Sequence, residues 1–233
     1  MLAAARAMGD HHAMLERLSP NCEARPEGGP IDMLVMHYTG MRTAEEALQR
    51  MCDPTAKVSA HYCIDEAGTI TRLVPEDKCA WHAGVSWWRG AQNVNPRSIG
   101  IELVNPGHEF GYVPFPEVQM TALILLASAI MRRHPIPKRN VVGHSDIAPS
   151  RKQDPGELFD WKRLASAGIG LWPTPATGGD SEDVAMMMET YGYNVHEDGA
   201  IAAFQRHFRP SRIDGVPDEE TADILAGLLE IAD

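Results

Sequence analysis

The chain has 233 residues, 44% of them hydrophobic, enough for one packed core and a second small unit. A formal net charge of -11 at pH 7, with pI ≈ 5.3, argues against a basic surface for nucleic acid or anionic membrane. The four cysteines, Cys22, Cys52, Cys63 and Cys79, show no CxxC pair or zinc-knuckle spacing, so reduced thiols are the simpler reading, with two disulfides left open.

Residues 1–12 have no basic start, and Arg6 breaks their apolar run, so they do not read as a secretion signal. That predicts a cytoplasmic protein, with the periplasm or cell envelope as the alternative if the true N-terminus differs. Residues 1–30 are punctuated by Pro and Gly and read as a leader with at most one short helix. Residues 31–36 read as a buried strand ending in His37-Tyr38-Thr39-Gly40, at the rim of a sheet, where open α/β sheets bind ligands. For a lone rim histidine, a satisfied structural role is the ordinary outcome.

Thr43-Ala44-Glu45-Glu46 is a capping box that opens a helix through Met51. Residues 59–65 and 69–74 predict a hairpin around Asp65-Glu66-Ala67-Gly68, with His61 on its first strand and Cys63 packed in a core. Ala80-Trp81-His82-Ala83-Gly84 and Trp87-Trp88-Arg89-Gly90 form an aromatic loop, which suggests an exposed platform for a sugar or peptide. In residues 98–105, Ile99, Ile101 and Leu103 mark one strand face and Gly100, Glu102 and Val104 the other. A carboxylate in an apolar strand is costly unless it is paired or bound. A long helix starts at Pro116-Glu117, ends in Arg132-Arg133 and is stopped by Pro135 and Pro137. It is too short to span a bilayer. Residues 160–167 read as a closing helix. The Gly- and Pro-rich residues 173–180 are a linker, and residues 181–233 carry three short helical patterns.

The chain is organised around residues 143–156, which follow the β-branched Val141-Val142. This stretch places His144, Lys152 and Asp154 in a segment too rich in Pro and Gly for a regular helix. If residues 152–154 are extended, Lys152 and Asp154 face the same side. Two imidazoles and a carboxylate are the open, catalytic kind of zinc set, and His37, His144 and Asp154 can supply it. Glu102 could then move protons and Lys152 could stabilise an oxyanion. Spacing alone does not single this set out: there is no HExxH, and ten histidines offer many triads.

The ordered runs His37-Tyr38-Thr39-Gly40, Ser59-Ala60-His61-Tyr62, Ala80-Trp81-His82-Ala83-Gly84, Ser98-Ile99-Gly100-Ile101-Glu102 and Gly143-His144-Ser145-Asp146, with Lys152 and Asp154-Pro155-Gly156, resemble the zinc-dependent N-acetylmuramoyl-L-alanine amidases of the second amidase type. The resemblance covers about residues 20–172. It implies an α/β fold, a mixed central β-sheet flanked by helices, and cleavage of the amide between the lactyl group of N-acetylmuramic acid (or its 1,6-anhydro form) and L-alanine. It implies Zn²⁺ on His37, His144 and Asp154, with Glu102 as general base and Lys152 as oxyanion stabiliser. His61, His82, Trp87, Asn95 and Arg97 become weaker candidates for substrate contact. Phage relatives carry Tyr where His61 stands, and Cys as third ligand where this chain has Asp154. Residues 181–233 resemble the three-helix peptidoglycan-binding module, through Tyr191-Gly192-Tyr193, Ala203-Phe204-Gln205-Arg206-His207-Phe208 and Asp214-Gly215-Val216-Pro217-Asp218. The expected divisions are a leader at 1–19, a catalytic domain at 20–172, a linker at 173–180 and the helical module at 181–233. The expected partners are peptidoglycan or muropeptides, without nucleic acid or membrane. Two alternatives remain at this stage: a non-catalytic peptidoglycan recognition protein on the same fold, and a recycling enzyme for soluble anhydro-muropeptides.

Overall fold

The computed structural model describes residues 14–232. In chain order the first elements are β1 (Met14–Glu16), β2 (Cys22–Ala24), β3 (Met33–Tyr38), α1 (Ala44–Cys52), β4 (Tyr62–Ile64), β5 (Ile70–Arg72), β6 (Lys78–Ala80), β7 (Trp87–Trp88) and β8 (Ala91–Gln92). They are followed by β9 (Ser98–Leu103), α2 (Gly107–Phe110), α3 (Glu117–Arg133), β10 (Val141–Gly143), α4 (His144–Ile147), α5 (Trp161–Ser166), α6 (Val184–Tyr191), α7 (Ala200–Phe208) and α8 (Glu219–Ile231). Six strands form a mixed sheet in the order β1-β5-β4-β9-β3-β10, with β4 and β5 antiparallel and the other neighbours parallel. Two small antiparallel pairs, β2-β6 and β7-β8, lie outside it. The expected mixed sheet flanked by helices is therefore the observed architecture.

The alternation along β3 and β9 determines which faces are apolar and where the site lies. Leu34, Met36, Ile99, Ile101 and Leu103 face α3 and pack on Met120, Leu123, Leu126 and Ile130. Burial of each such Leu or Ile contributes about 1.5–3 kcal/mol. The long helix is seated by Gln119, whose buried Nε2 donates to the carbonyls of Ile64 and Val104 at 2.9 and 3.0 Å, at the ends of β4 and β9. On the opposite face, Met33, Val35 and Val142 pack under the C-terminal helices with Trp88, Tyr193, Phe204 and Leu225. A third cluster joins Ala47 and Met51 of α1 to Cys63, Leu73 and Val104. His37 continues the Met33-Val35 side of its strand and Glu102 the Gly100 side. Both therefore lie on the face away from α3, between the α1 cluster and the C-terminal helices.

Several local expectations hold. Thr43 caps α1 by accepting from the Glu46 amide at 3.2 Å, Cys63 is buried, and the 59–74 region is a hairpin. The three C-terminal helices fall on the expected patterns. All four cysteines are free thiols. The leader reading needs correction. Residues 1–13 lie outside the described residues, but Met14–Glu16 pairs with Ile70–Arg72 as an edge strand, and Arg72 forms an ion pair with Glu16. Three residues are too few to show an apolar period, so this strand was not legible. Among the described residues no helix is long and apolar enough to cross a membrane.

Candidate functional site

The strand ladder sets the floor of the cleft. β3 and β9 pair in parallel register with His37 opposite Glu102, so the two side chains leave adjacent strands on one face. β10 is also parallel to β3, with Gly143 opposite Met36, and delivers the chain to His144 at the same rim. From there only one helical turn forms, α4, before the loop reverses. The Ser145 amide donates to the Asp154 carbonyl at 2.9 Å, which brings the His144 and Asp154 segments together.

His37, His144 and Asp154 meet as buried residues. His37 Nδ1, His144 Nδ1 and Asp154 Oδ2 are mutually 3.0 Å apart. Hydrogen bonds behind the imidazoles determine what those atoms are. Ser98 donates its hydroxyl to the Val94 carbonyl at 2.8 Å, so its oxygen is left to accept from His82 Nε2 at 3.1 Å. The other His82 nitrogen, Nδ1, is then the acceptor for His37 Nε2 at 3.0 Å. His37 therefore turns a lone pair, at Nδ1, toward the trio. His144 does the same, because its Nε2 donates to the Ala83 carbonyl at 3.1 Å. Burial, then the adjacent His144, lowers the His37 pKa to about 4, and burial lowers that of His82 well below the ordinary value, so both rings are neutral.

Two lone pairs and a carboxylate oxygen at 3.0 Å repel one another unless a cation lies among them. The separations are also close to the edge, about 3.3 Å, of a tetrahedron with zinc-ligand bonds of 2.0–2.1 Å. The donors thus fit a divalent metal with a two-nitrogen, one-oxygen preference.

Glu102 stands on the floor with Oε2 buried and without a hydrogen-bond partner among the described residues. Burial, and then the Asp154 carboxylate, pushes its pKa up to about 8, while Lys152 pulls it down. The cleft has a volume of about 380 Å³, and its lining includes Glu102, Lys152, Asp154, His82, Trp81 and Arg151. Lys152, Gln153 and Asp154 all line the cleft.

The weaker substrate candidates separate. His82 reaches the cleft, but both ring nitrogens are engaged in the relay to His37. His61 is fully buried. Its Nδ1 accepts from the Gly100 amide at 3.0 Å, and its Nε2 lies 2.9 Å from the Arg25 guanidinium and 3.1 Å from the Lys78 carbonyl, so both nitrogens are engaged. Asn95 spends Oδ1 on the amides of His82 and Ala83, at 3.2 and 2.8 Å. Arg97 forms a two-pronged ion pair with Asp32. Trp87 lies on the β7-β8 hairpin outside the cleft lining. Its neighbour Trp88 is completely buried, edge-on to Tyr193 at 5.1 Å, with Nε1 donating to Asn140 at 3.2 Å. Trp88 thus closes a core, and the aromatic side chains lining the cleft include Tyr38 and Trp81, which the sequence reading did not select. Ser98 and Arg151 were also missed. A serine four residues before a suspicious glutamate on one strand was the available signal for the first.

The family Amidase_2, N-acetylmuramoyl-L-alanine amidase, matches residues 27–157. The N-acetylmuramoyl-L-alanine amidase AmiD of Escherichia coli (strain K12) is 41% identical over 231 residues, spanning 86% of this chain and 83% of the relative. The 1,6-anhydro-N-acetylmuramyl-L-alanine amidase AmpD of Haemophilus influenzae is 36% identical over 167 residues, spanning 64% of this chain and 89% of the relative. Of solved structures, the E. coli AmiD complex with the substrate anhydro-N-acetylmuramic acid-L-Ala-D-gamma-Glu-L-Lys superposes with a TM-score of 0.78. It is 38% identical and covers 88% of this chain and 92% of that one. AmpDh3 from Pseudomonas aeruginosa, in complex with anhydromuramic pentapeptide, gives a TM-score of 0.79 at 36% identity, covering 88% and 93%.

Proposed function

The chain belongs to the N-acetylmuramoyl-L-alanine amidase family, and we propose that it hydrolyses the amide joining the lactyl group of a muramyl or 1,6-anhydromuramyl residue to L-alanine, with Zn²⁺ held by His37, His144 and Asp154. The observation that carries this reading is the convergence of two imidazole lone pairs and one carboxylate oxygen at 3.0 Å beside an unpartnered, buried Glu102 oxygen. The relatives solved with anhydromuramyl peptides support the choice of substrate.

When bound, the metal polarises the scissile carbonyl and lowers the pKa of water. The protein's own groups do the rest. Glu102, as a carboxylate, takes a proton from the attacking water and hands it to the nitrogen that leaves as the amine of L-alanine. Its raised pKa suits that exchange, since a base near the working pH both accepts and returns a proton. Lys152, on the facing wall, stabilises the charge that gathers on the carbonyl oxygen. His82 and Ser98 keep the His37 lone pair aimed inward, and Ala83 does so for His144.

The helical unit at 181–233 adds a proposed affinity for the wall polymer, supported by its likeness to peptidoglycan-binding modules. Of the aromatics that carry the likeness, Tyr191, Tyr193, Phe204 and Phe208 are buried, so glycan contacts would fall to other side chains. Retention on whole sacculi, compared with turnover of small muropeptides, measures this. The catalytic proposal is tested by incubating the full chain with an anhydromuramyl peptide, with and without chelator, and weighing the products. Release of a stem peptide with a free L-alanine amine, abolished by chelator and restored by Zn²⁺, is expected. An uncleaved substrate with zinc-loaded, folded protein would refute it.

A further inference from the structure

Asp146 lies two residues past His144 and is buried, although it is not part of the metal set. Its carboxylate is fully engaged. Oδ2 accepts from the Gly143 amide at 2.7 Å, which closes the α4 turn on itself. The same oxygen accepts from His207 Nδ1 at 2.7 Å, and Oδ1 accepts from the Tyr193 hydroxyl at 2.7 Å. Two of its three donors therefore come from the C-terminal helical unit, 47 and 61 positions away in sequence. Both donors are themselves fixed. The His207 ring stacks on Trp161 at 3.8 Å between centroids, and Tyr193 packs edge-on to Trp88 at 5.1 Å.

The same unit touches the loop twice more. Ser150 donates its hydroxyl to Glu197 at 2.6 Å, and Gly199 approaches so closely that a Cβ there would lie 3.1 Å from the Pro149 carbonyl oxygen. A surface module that merely shares a chain with an enzyme needs none of these contacts. A buried carboxylate, by contrast, keeps its position only while its donors are present.

We propose that the C-terminal helical unit is a working part of the metal-binding loop, with Tyr193 and His207 acting through Asp146 as positioning residues for the turn that presents His144. This rests on the reading of His37, His144 and Asp154 as zinc ligands. Glycan affinity and loop positioning then reside in one unit, so deleting it removes more than wall binding.

The test compares like-sized changes in the full chain by zinc affinity, measured in competition with a chromogenic chelator. Tyr193→Phe deletes one donor. Tyr191→Phe deletes a neighbouring hydroxyl that makes no hydrogen bond to Asp146 and serves as the control. His207→Phe keeps the stacking and loses the donor, whereas His207→Asn keeps a donor at that place. Tyr193→Phe and His207→Phe are expected to weaken zinc binding by about tenfold, the low end for losing support behind a metal ligand. His207→Asn should recover part of that loss, and Tyr191→Phe should stay within about twofold. Amide exchange across residues 143–147 of the metal-free protein should accelerate in the same order, which reads the turn even where a variant loads metal poorly. Wild-type zinc affinity and exchange in Tyr193→Phe and His207→Phe would overturn the inference while leaving the metal reading intact. A wild-type protein that binds no zinc would overturn both.

Discussion

The floor of the cleft carries His37 and Glu102 on adjacent strands, whereas its wall carries His144, Lys152 and Asp154 on a loop with a single helical turn. Backbone register holds the floor: β3 and β9 pair over six residues, and slipping either strand by one would turn its own side chain into the α3 core. The wall rests on the Asp146 side chain and its donors from the C-terminal helical unit, beside one backbone bond from Ser145 to Asp154. The strand residues can thus be exchanged with little effect on geometry, so their variants report chemistry. The loop residues are held by partners that can be removed one at a time, so variants of those partners report positioning.

The largest effects should come from the two groups that move charge. Glu102→Gln is expected to retain zinc and lose turnover by about 10²–10⁴-fold, as for a lost general base. Lys152→Met should cost about 10²–10³-fold, as for a lost oxyanion donor. Steady-state kinetics with metal analysis on the same samples checks both, and a metal-free Glu102→Gln protein would contradict the separation of Glu102 from the ligand set. Stability should move the other way. The Glu102 pKa is raised to about 8, so the folded state keeps a proton that the unfolded chain releases near 4.5. Ionisation therefore burdens the metal-free wild type increasingly between those values. Metal-free Glu102→Gln should match wild type near pH 4.5 and exceed it at pH 8 by a few kcal/mol, an order-of-magnitude figure from the shift. Urea unfolding at the two pH values measures this.

A smaller effect separates positioning from chemistry on the floor itself. His82→Phe removes the acceptor that fixes the His37 tautomer, and zinc affinity should fall about 10–100-fold. Ser98→Ala, one step further back, should cost less than His82→Phe in the same chelator competition. Wild-type affinity in both variants would mean that His37 needs no relay.

The smallest effect belongs to His61, which sequence reasoning placed at the substrate. Burial, then the nearby Arg25, lowers its pKa to about 3, so the folded protein refuses a proton that the unfolded chain binds below about 6.5. The stability it contributes is complete above that value and is lost as pH falls toward 3. His61→Gln should flatten the decline in melting temperature between pH 6.5 and 4 and leave the Michaelis constant near wild type. A large rise in that constant would return His61 to the substrate.

Legibility in the sequence follows the same division. The strand-borne residues were readable because the Ile99-Ile101-Leu103 alternation assigns Glu102 to the opposite face without reference to any partner. The three metal-type ligands were not readable from spacing, since 107 positions separate His37 from His144 and nothing local relates them; an ordered set of motifs selected them. Trp87-Trp88 looked exposed because the hairpin around it is polar, yet Tyr191 and Tyr193, which cover Trp88, lie a hundred positions downstream. Asn95 and Arg97 looked available for substrate because side-chain type does not reveal that a backbone amide or Asp32 has already claimed them. The contacts of Tyr193 and His207 with Asp146 were hidden for the same reason, since 47 and 61 positions separate them and nothing local relates them.

The measurement that tests the central claim most directly is zinc content, after equilibration and gel filtration, of the wild-type chain beside Asp154→Ala. One zinc per wild-type chain and a loss of most of it in folded Asp154→Ala is the predicted result. Full zinc in Asp154→Ala, or none in an active wild type, would contradict the assignment of His37, His144 and Asp154 as the metal centre.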